Sequence, residues 1–218
     1  MATKLQRKIE VLKDVELAQK VHLTEGFENF IPHMYLDTTG NVTVGIGHLL
    51  KDAAAACDVL FQKDGKRATT EEIKAEFKLV SDFATAQRAQ EDNKKKMRAK
   101  DFSGKTKLRI TDESAYGLAA QDIAVKEREL RKEFPNFDKY PHEVKEALLD
   151  MAFNLGVTGV VVKFPSFTKA IRAGNWRKAA KESRRPQLGV SRNKATRERL
   201  EKAPLPSRLA PQRPQKLG

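Results

Sequence analysis

The spacing of apolar residues changes along this chain, and that change limits the folds open to it. Leu5, Ile9, Leu12, Leu17 and Val21 recur at the spacing of one helix face, as do Val144, Leu148, Met151 and Leu155. After the turn signal Thr39-Gly40-Asn41 the spacing is two: Val42, Val44 and Ile46 alternate with polar or small residues. This pattern predicts a β-hairpin, the start of a small sheet, inside an otherwise helical chain.

Further helices follow from their end signals. Residues 3–30 read as helix, and Ala53–Ala56 favour a short one. Residues 69–100 read as helix with Thr69 or Thr70 as N-cap before Glu71 and Glu72, after a polar turn at Lys63-Asp64-Gly65. Thr111 or Asp112 caps a helix carrying Leu118, Ile123 and Leu130. Pro141 suits the first turn of the next, which Gly156 stops. Ser166, Asn175 and Ser191 are expected to cap three more, the last running through Leu200. The segment 204–218 is rich in proline and reads as a flexible tail.

The 218 residues suit one domain or two small lobes. No apolar run approaches the roughly 20 residues that cross a bilayer, and the N-terminus lacks the apolar segment of a signal peptide. One cysteine, Cys57, excludes an internal disulfide and a Cys-pair zinc site, and reads as an inert packed residue. The formal net charge of +13 predicts attraction to a polyanion without choosing among nucleic acid, membrane and cell wall.

Several catalytic patterns are absent. No serine sits in G-x-S-x-G, and the four histidines form no H-E-x-x-H. Gly45-Ile46-Gly47 lacks the rest of a phosphate loop and reads as close backbone packing within a strand. What remains is a pair of carboxylates: Glu25 at the end of a helical pattern and Asp37 at the start of the hairpin, with Thr43 on its second strand. A helix end facing a hairpin can set two acids on opposite sides of a cleft, as glycoside hydrolysis requires: one protonated for the leaving oxygen, one ionised for water or the sugar. Each acid alone reads equally well as ordinary, Glu25 on the surface and Asp37 bonding nearby turn amides.

Leu23-Thr24-Glu25-Gly26, followed by Tyr35-Leu-Asp-Thr-Thr-Gly-Asn-Val-Thr-Val-Gly-Ile-Gly-His48, resembles the phage-type lysozymes of glycoside hydrolase family 24, the T-even phage type included. Their pattern is E-G, a short gap, then Y-x-D-x-x-G-x-x-T-x-G-x-G-H. Arg109-Ile-Thr-Asp-Glu-Ser-Ala115, Gln121-Asp-Ile123, Asp150-Met-Ala-Phe-Asn-Leu-Gly156 and Asn175-Trp-Arg-Lys-Ala-Ala180 continue the resemblance, over about residues 15–202. It implies an α+β fold, mostly helical, with a small sheet-bearing N-terminal lobe, a helical C-terminal lobe and a cleft between them. It implies Glu25 as catalytic acid, Asp37 as second carboxylate, Thr43 as the hydroxyl placing water, and Leu49, Phe153 and Asn154 as saccharide contacts. His48 is expected to be structural, and neither metal nor cofactor is expected. Residues 1–14 read as an N-terminal helical extension, 15–203 as the catalytic domain, and about 60–107 as a helical insertion in it.

The gap from Glu25 to Asp37 is longer than in the T-even type. Where the family places an arginine that pairs with the acid, Lys194 stands between Arg192 and Arg197, leaving open which of them faces Glu25. The activity implied is that of an inverting muramidase on bacterial peptidoglycan, bacteriolytic, and monomeric. Its rivals are a lytic transglycosylase and a non-catalytic polyanion-binding module. No specific nucleic-acid partner is expected. Synthesis in a bacterial or phage-infected cytoplasm is expected. Release through a holin and injection as a secreted effector, which would bring an immunity protein, both remain open.

Overall fold

The computed structural model describes residues 30–89 and 98–205. The expected N-terminal helix (except Phe30), the residues 1–14, Glu25, the run Lys94–Lys96 and all but the first two tail residues lie outside the described residues. The fold is α+β: a small antiparallel sheet in the N-terminal region, and helices in the C-terminal part. The chain divides into two compact units between Asp122 and Ile123.

In the first unit, β1 (Ile31–Leu36), β2 (Val42–Gly45) and β3 (His48–Leu49) form a three-stranded sheet in the order β1-β2-β3. Tyr35 lies opposite Thr43, and Thr43 opposite Leu49. The hairpin is therefore present, and extends by one strand. Gly45-Ile46-Gly47 is not strand interior. Gly45 ends β2 at φ +67 and Gly47 has φ +76, so the segment turns the chain into β3. Positive φ disfavours any side chain but glycine's at both positions. Close packing also holds at Gly45, where a Cβ would lie 3.2 Å from Ile110 Cδ1.

Asp52 caps α1 (Ala53–Cys57), accepting from the Ala55 amide at 2.8 Å. Asp64 and Gly65, both at positive φ, turn β4 (Gln62–Lys63) into β5 (Lys66–Arg67), the two-residue connection that matches strand twist. Thr69 caps α2 (Thr70–Ala89) through a reciprocal box: Thr69 Oγ1 accepts from the Glu72 amide and Glu72 Oε2 from the Thr69 amide. The expected single helix to residue 100 does not hold. Ala99–Phe102 is a separate 3-10 turn, opened by the Arg98 amide donating to Asp101. Glu76, buried on α2, accepts from the amides of Lys107 and Leu108. Burial raises its pKa, against those amides. Gln62 and Arg109 then exchange backbone bonds at 2.7 and 2.8 Å. Phe61, Ile73, Val80, Phe102 and Leu108 share one apolar core with Met34, Tyr35 and Val44 of the sheet. Residues 60–108 thus include a small hairpin as well as a helix, and help to make the core that supports β1 and β2.

Thr111 caps α3 (Asp112–Glu133), which runs across the boundary between the units. The second unit holds the rest of α3, then α4 (His142–Leu155), α5 (Val157–Lys163), α6 (Pro165–Arg172), α7 (Trp176–Glu182) and α8 (Val190–Lys202). Val144, Leu148 and Met151 are buried as their spacing predicts, and Gly156 at φ +70 ends α4. The chain re-enters a helix at once in α5, which the sequence reading lacks. Asn175 caps α7 by accepting from the Lys178 amide at 3.0 Å. Ser166 and Ser191 are not caps. Pro165, with no amide hydrogen to satisfy and a fixed φ, takes the first position of α6, and α8 starts at Val190 with Gly189 as its cap, two residues before the expected one. Trp176 is buried edge-on to Tyr140, and its indole donates to the Pro204 carbonyl at 2.9 Å. Cys57 is partly buried against the first unit's core.

Candidate active site

Asp37 closes the β1–β2 turn. Its Oδ1 accepts from the Thr39 amide, the Thr39 hydroxyl and the Asn41 amide, each at 2.8 Å, and Oδ2 accepts from Asn41 Nδ2 at 3.2 Å. Thr43 is buried on β2, and its hydroxyl donates to the Asn41 carbonyl at 3.1 Å. Both groups are therefore tied to Asn41, one at its amide and one at its carbonyl. With its proton committed, the Thr43 oxygen retains acceptor capacity, and so does the Asp37 carboxylate. Thr43 and Leu49 are directly opposed in the sheet, so they share a face, and Leu49 is exposed there.

His48 donates Nδ1–H to Asp122 Oδ2 at 2.9 Å, across 74 residues of sequence. This bond ties β3 to α3 and agrees with a structural reading of the histidine. Asp122 as its partner is a residue that spacing alone did not pair with it.

Phe153 and Asn154 lie in the last turn of α4 in the second unit, both half-buried. Asn154 Oδ1 is buried and accepts no hydrogen bond among the described residues. Such an oxygen suits an N–H or O–H donor from a ligand. One turn earlier on α4, Asp150 is the centre of a buried network. Its Oδ2 accepts from Arg185 Nη2 and from the Thr196 hydroxyl, and its Oδ1 from Arg192 Nε at 2.8 Å. Burial pushes the Asp150 carboxyl up, but the charges and hydrogen bonds of Arg185, Arg192 and Thr196 outweigh it and hold the pKa below its ordinary value. Lys194 and Arg197 are exposed and pair along α8 with Glu198 and Glu201, whereas Arg192 is 12% exposed at the side chain. Of the residues expected to act, the structure groups Asp37, Thr43 and Leu49 on the first unit's sheet, and Phe153 with Asn154 on α4. Glu25 lies outside the described residues.

Among the described residues no cluster of His, Cys, Asp and Glu could hold a metal ion, and no helix is long and apolar enough to cross a membrane. A search of curated protein sequences returns no significant match. The profile of the phage lysozyme family matches residues 25–189, a span that contains the Asp37–Thr43 turn, the His48–Asp122 pair and the end of α4. With that match over most of its length, this chain belongs to the phage lysozyme family, whose activity is lysis of the peptidoglycan wall.

Proposed function

We propose that the protein is a muramidase, hydrolysing the β-1,4 bond from N-acetylmuramic acid to N-acetylglucosamine. Glu25 protonates the glycosidic oxygen. Asp37 and Thr43 accept hydrogen bonds from a water, which attacks the anomeric carbon from the opposite side and inverts it. The observation that carries this reading is the turn itself: Asn41 anchors both groups, and the Thr43 proton is already spent on a carbonyl. Leu49, Phe153 and Asn154 contact the saccharide, Asn154 through its open amide oxygen. Arg192 is proposed as the family's active-site arginine, because Lys194 and Arg197 are exposed and paired within their own helix. No metal or cofactor is required by this scheme. The product is released in the wall, after delivery by a holin or a secretion machine.

The test is digestion of purified sacculi followed by mass spectrometry and NMR of the released sugars. Hydrolysis gives reducing muramic ends, initially in the α configuration. An anhydro product, lighter by one water, would identify a lytic transglycosylase, and no release at all would identify a binding module. Glu25→Gln removes the proton donor and is expected to abolish release with the melting temperature retained. Asp37→Asn keeps an amide oxygen for the Thr39 and Asn41 donors, so the turn survives while release falls about a hundredfold or more.

A further inference from the structure

The positive charge is divided unequally between the two units. Residues 123–218 carry 22 Lys and Arg against 10 Asp and Glu, a net +12, whereas residues 1–122 carry 20 against 19, a net +1. Within the second unit the excess concentrates on α6 and α7 and their flanks. Lys163, Lys169, Arg177, Lys178, Lys181 and Arg184 are all exposed, and the same stretch holds one acid, Glu182.

Helix α8 is a useful contrast. Its exposed Lys194 and Arg197 each have a carboxylate four residues on, at Glu198 and Glu201. These six exposed cations pair with no carboxylate among the described residues, whereas the half-buried Arg172 of α6 pairs with Glu133. Arg177 and Lys181 stand at i and i+4, a spacing at which like charges repel. A surface that keeps such repulsion gains by meeting negative charge from outside the chain.

The opposite sides of these helices narrow the partner. Phe167, Ala170 and Ile171 of α6 and Trp176, Ala179 and Ala180 of α7 are buried in the core. No apolar side of either helix remains to enter a bilayer, and the buried Phe167 and Trp176 offer no ring for a nucleic-acid base to stack on. What fits is a hydrated polymer bearing rows of carboxylates or phosphodiesters.

Resting on the reading that the wall is the substrate, we propose that the outward sides of α6 and α7 are a docking surface for the anionic bacterial wall. This surface holds the enzyme on its polymer between cleavages and is built from residues other than those proposed for catalysis.

The test uses the full chain with Arg177→Gln, Lys178→Gln and Lys181→Gln combined. The comparator combines Lys94→Gln, Lys95→Gln and Lys96→Gln, the same loss of charge in the other unit. Co-sedimentation on ice with purified sacculi measures binding, and hydrolysis of a short uncharged oligosaccharide measures turnover. Losing three cation contacts to a polyanion is expected to weaken binding about tenfold or more at about 0.1 M salt and to flatten its salt dependence, with turnover intact. The comparator is expected to stay within about twofold of the parent. A loss seen equally on sacculi stripped of phosphodiester polymers assigns the contact to wall carboxylates, and a loss confined to unstripped sacculi assigns it to phosphodiesters. The proposal is overturned if the α7 variant binds as the parent does, or if the comparator weakens equally, which makes the effect one of diffuse charge. It is also overturned if turnover on the short substrate falls with binding, or if duplex DNA or anionic vesicles bind more tightly than sacculi. A parent protein that releases no sugar from sacculi would instead sink the muramidase reading, and the sedimentation result would stand apart from it.

Discussion

Replacing Asp150 with asparagine exchanges one oxygen for an amide nitrogen in the interior of the second unit. The carboxylate lost is the one that both Arg185 and Arg192 contact. Arg185 has no exposed side-chain surface, so water cannot stand in for the missing charge. The new amide also turns donors, or a single remaining acceptor, toward Arg185 and the Thr196 hydroxyl. Breaking a buried pair by removing one partner costs about 3–5 kcal/mol. At roughly 2–4 °C per kcal/mol for a chain of this size, the melting temperature should fall by about 6–20 °C. Asp138→Asn is the control. It removes an ion pair with Arg131 of similar length, 2.8 Å, but both side chains are substantially exposed, and the expected cost is about 1 kcal/mol or less. The sign with pH follows from the depressed pKa. The unfolded carboxylate titrates near 3.9 and the folded one lower, so between the two values the unfolded state binds more protons. The Asp150 contribution is therefore complete above the unfolded value and is lost as pH falls through the folded one. Urea titrations followed by circular dichroism from neutral pH downward should show parent and variant converging in acid. A variant within about 1 kcal/mol of the parent at neutral pH, or a gap that stays constant in acid, would refute the argument.

Three other outcomes are expected. Phe61→Ala, at a fully buried position between α1 and β4, should cost about 3–5 kcal/mol in the same unfolding assay, and a cost typical of a surface site would show that this stretch packs outside the first unit's core. Gly45→Ala combines φ +67 with a 3.2 Å approach to Ile110 and should lose about 1–3 kcal/mol, while Gly104→Ala, with nothing within 4 Å of its Cβ, should stay near the parent. Ending the chain after Ala203 removes the Pro204 carbonyl that the buried Trp176 indole donates to. That should cost about 1–3 kcal/mol relative to ending it after Leu205, read as a difference in melting temperature.

Local chemistry was legible where one side chain decides one backbone group. Thr69 with Glu72, Asn175 with the Lys178 amide, and the Asp64-Gly65 turn could each be read from a few neighbouring letters. Reading failed where two adjacent residues competed for one role. Pro165 prevailed over Ser166 because a fixed φ and a missing amide hydrogen outweigh a side-chain cap at the first helical position. The Asp37–Thr43 turn was legible because Asp37, Asn41 and Thr43 lie within seven residues. The Asp150 network was not, since Arg185, Arg192 and Thr196 lie 35 to 46 residues beyond Asp150, and Arg184 and Arg185 are the same letter side by side. Nothing in those two letters says that Arg184 is exposed and Arg185 has no exposed surface. An aspartate within the apolar stripe of α4 was the available signal, and naming its partners required the fold. His48 and Asp122 pose the same difficulty at 74 residues.

The backbone exchange between Gln62 and Arg109 has a consequence for how this chain tolerates change in length. The path sets out from Gln62 and returns at Arg109, directly opposite it, without leaving the first unit. For whatever lies between, the two ends are already joined, and lengthening such a loop adds only about 0.6 kcal/mol of closure entropy per doubling. Growth there is cheap. Retreat is not, because Ile73, Val80, Phe102 and Leu108 lie between those ends and fill the core beneath the sheet, and the Glu76 carboxylate fastens the returning strand through its amides. Shortening this excursion would leave a void against Met34 and Val44, on the strands whose turn carries Asp37 and Thr43. A segment with the topology of an optional loop is in this way made obligatory by what it packs against, and the geometry of the Asp37–Thr43 turn depends on it.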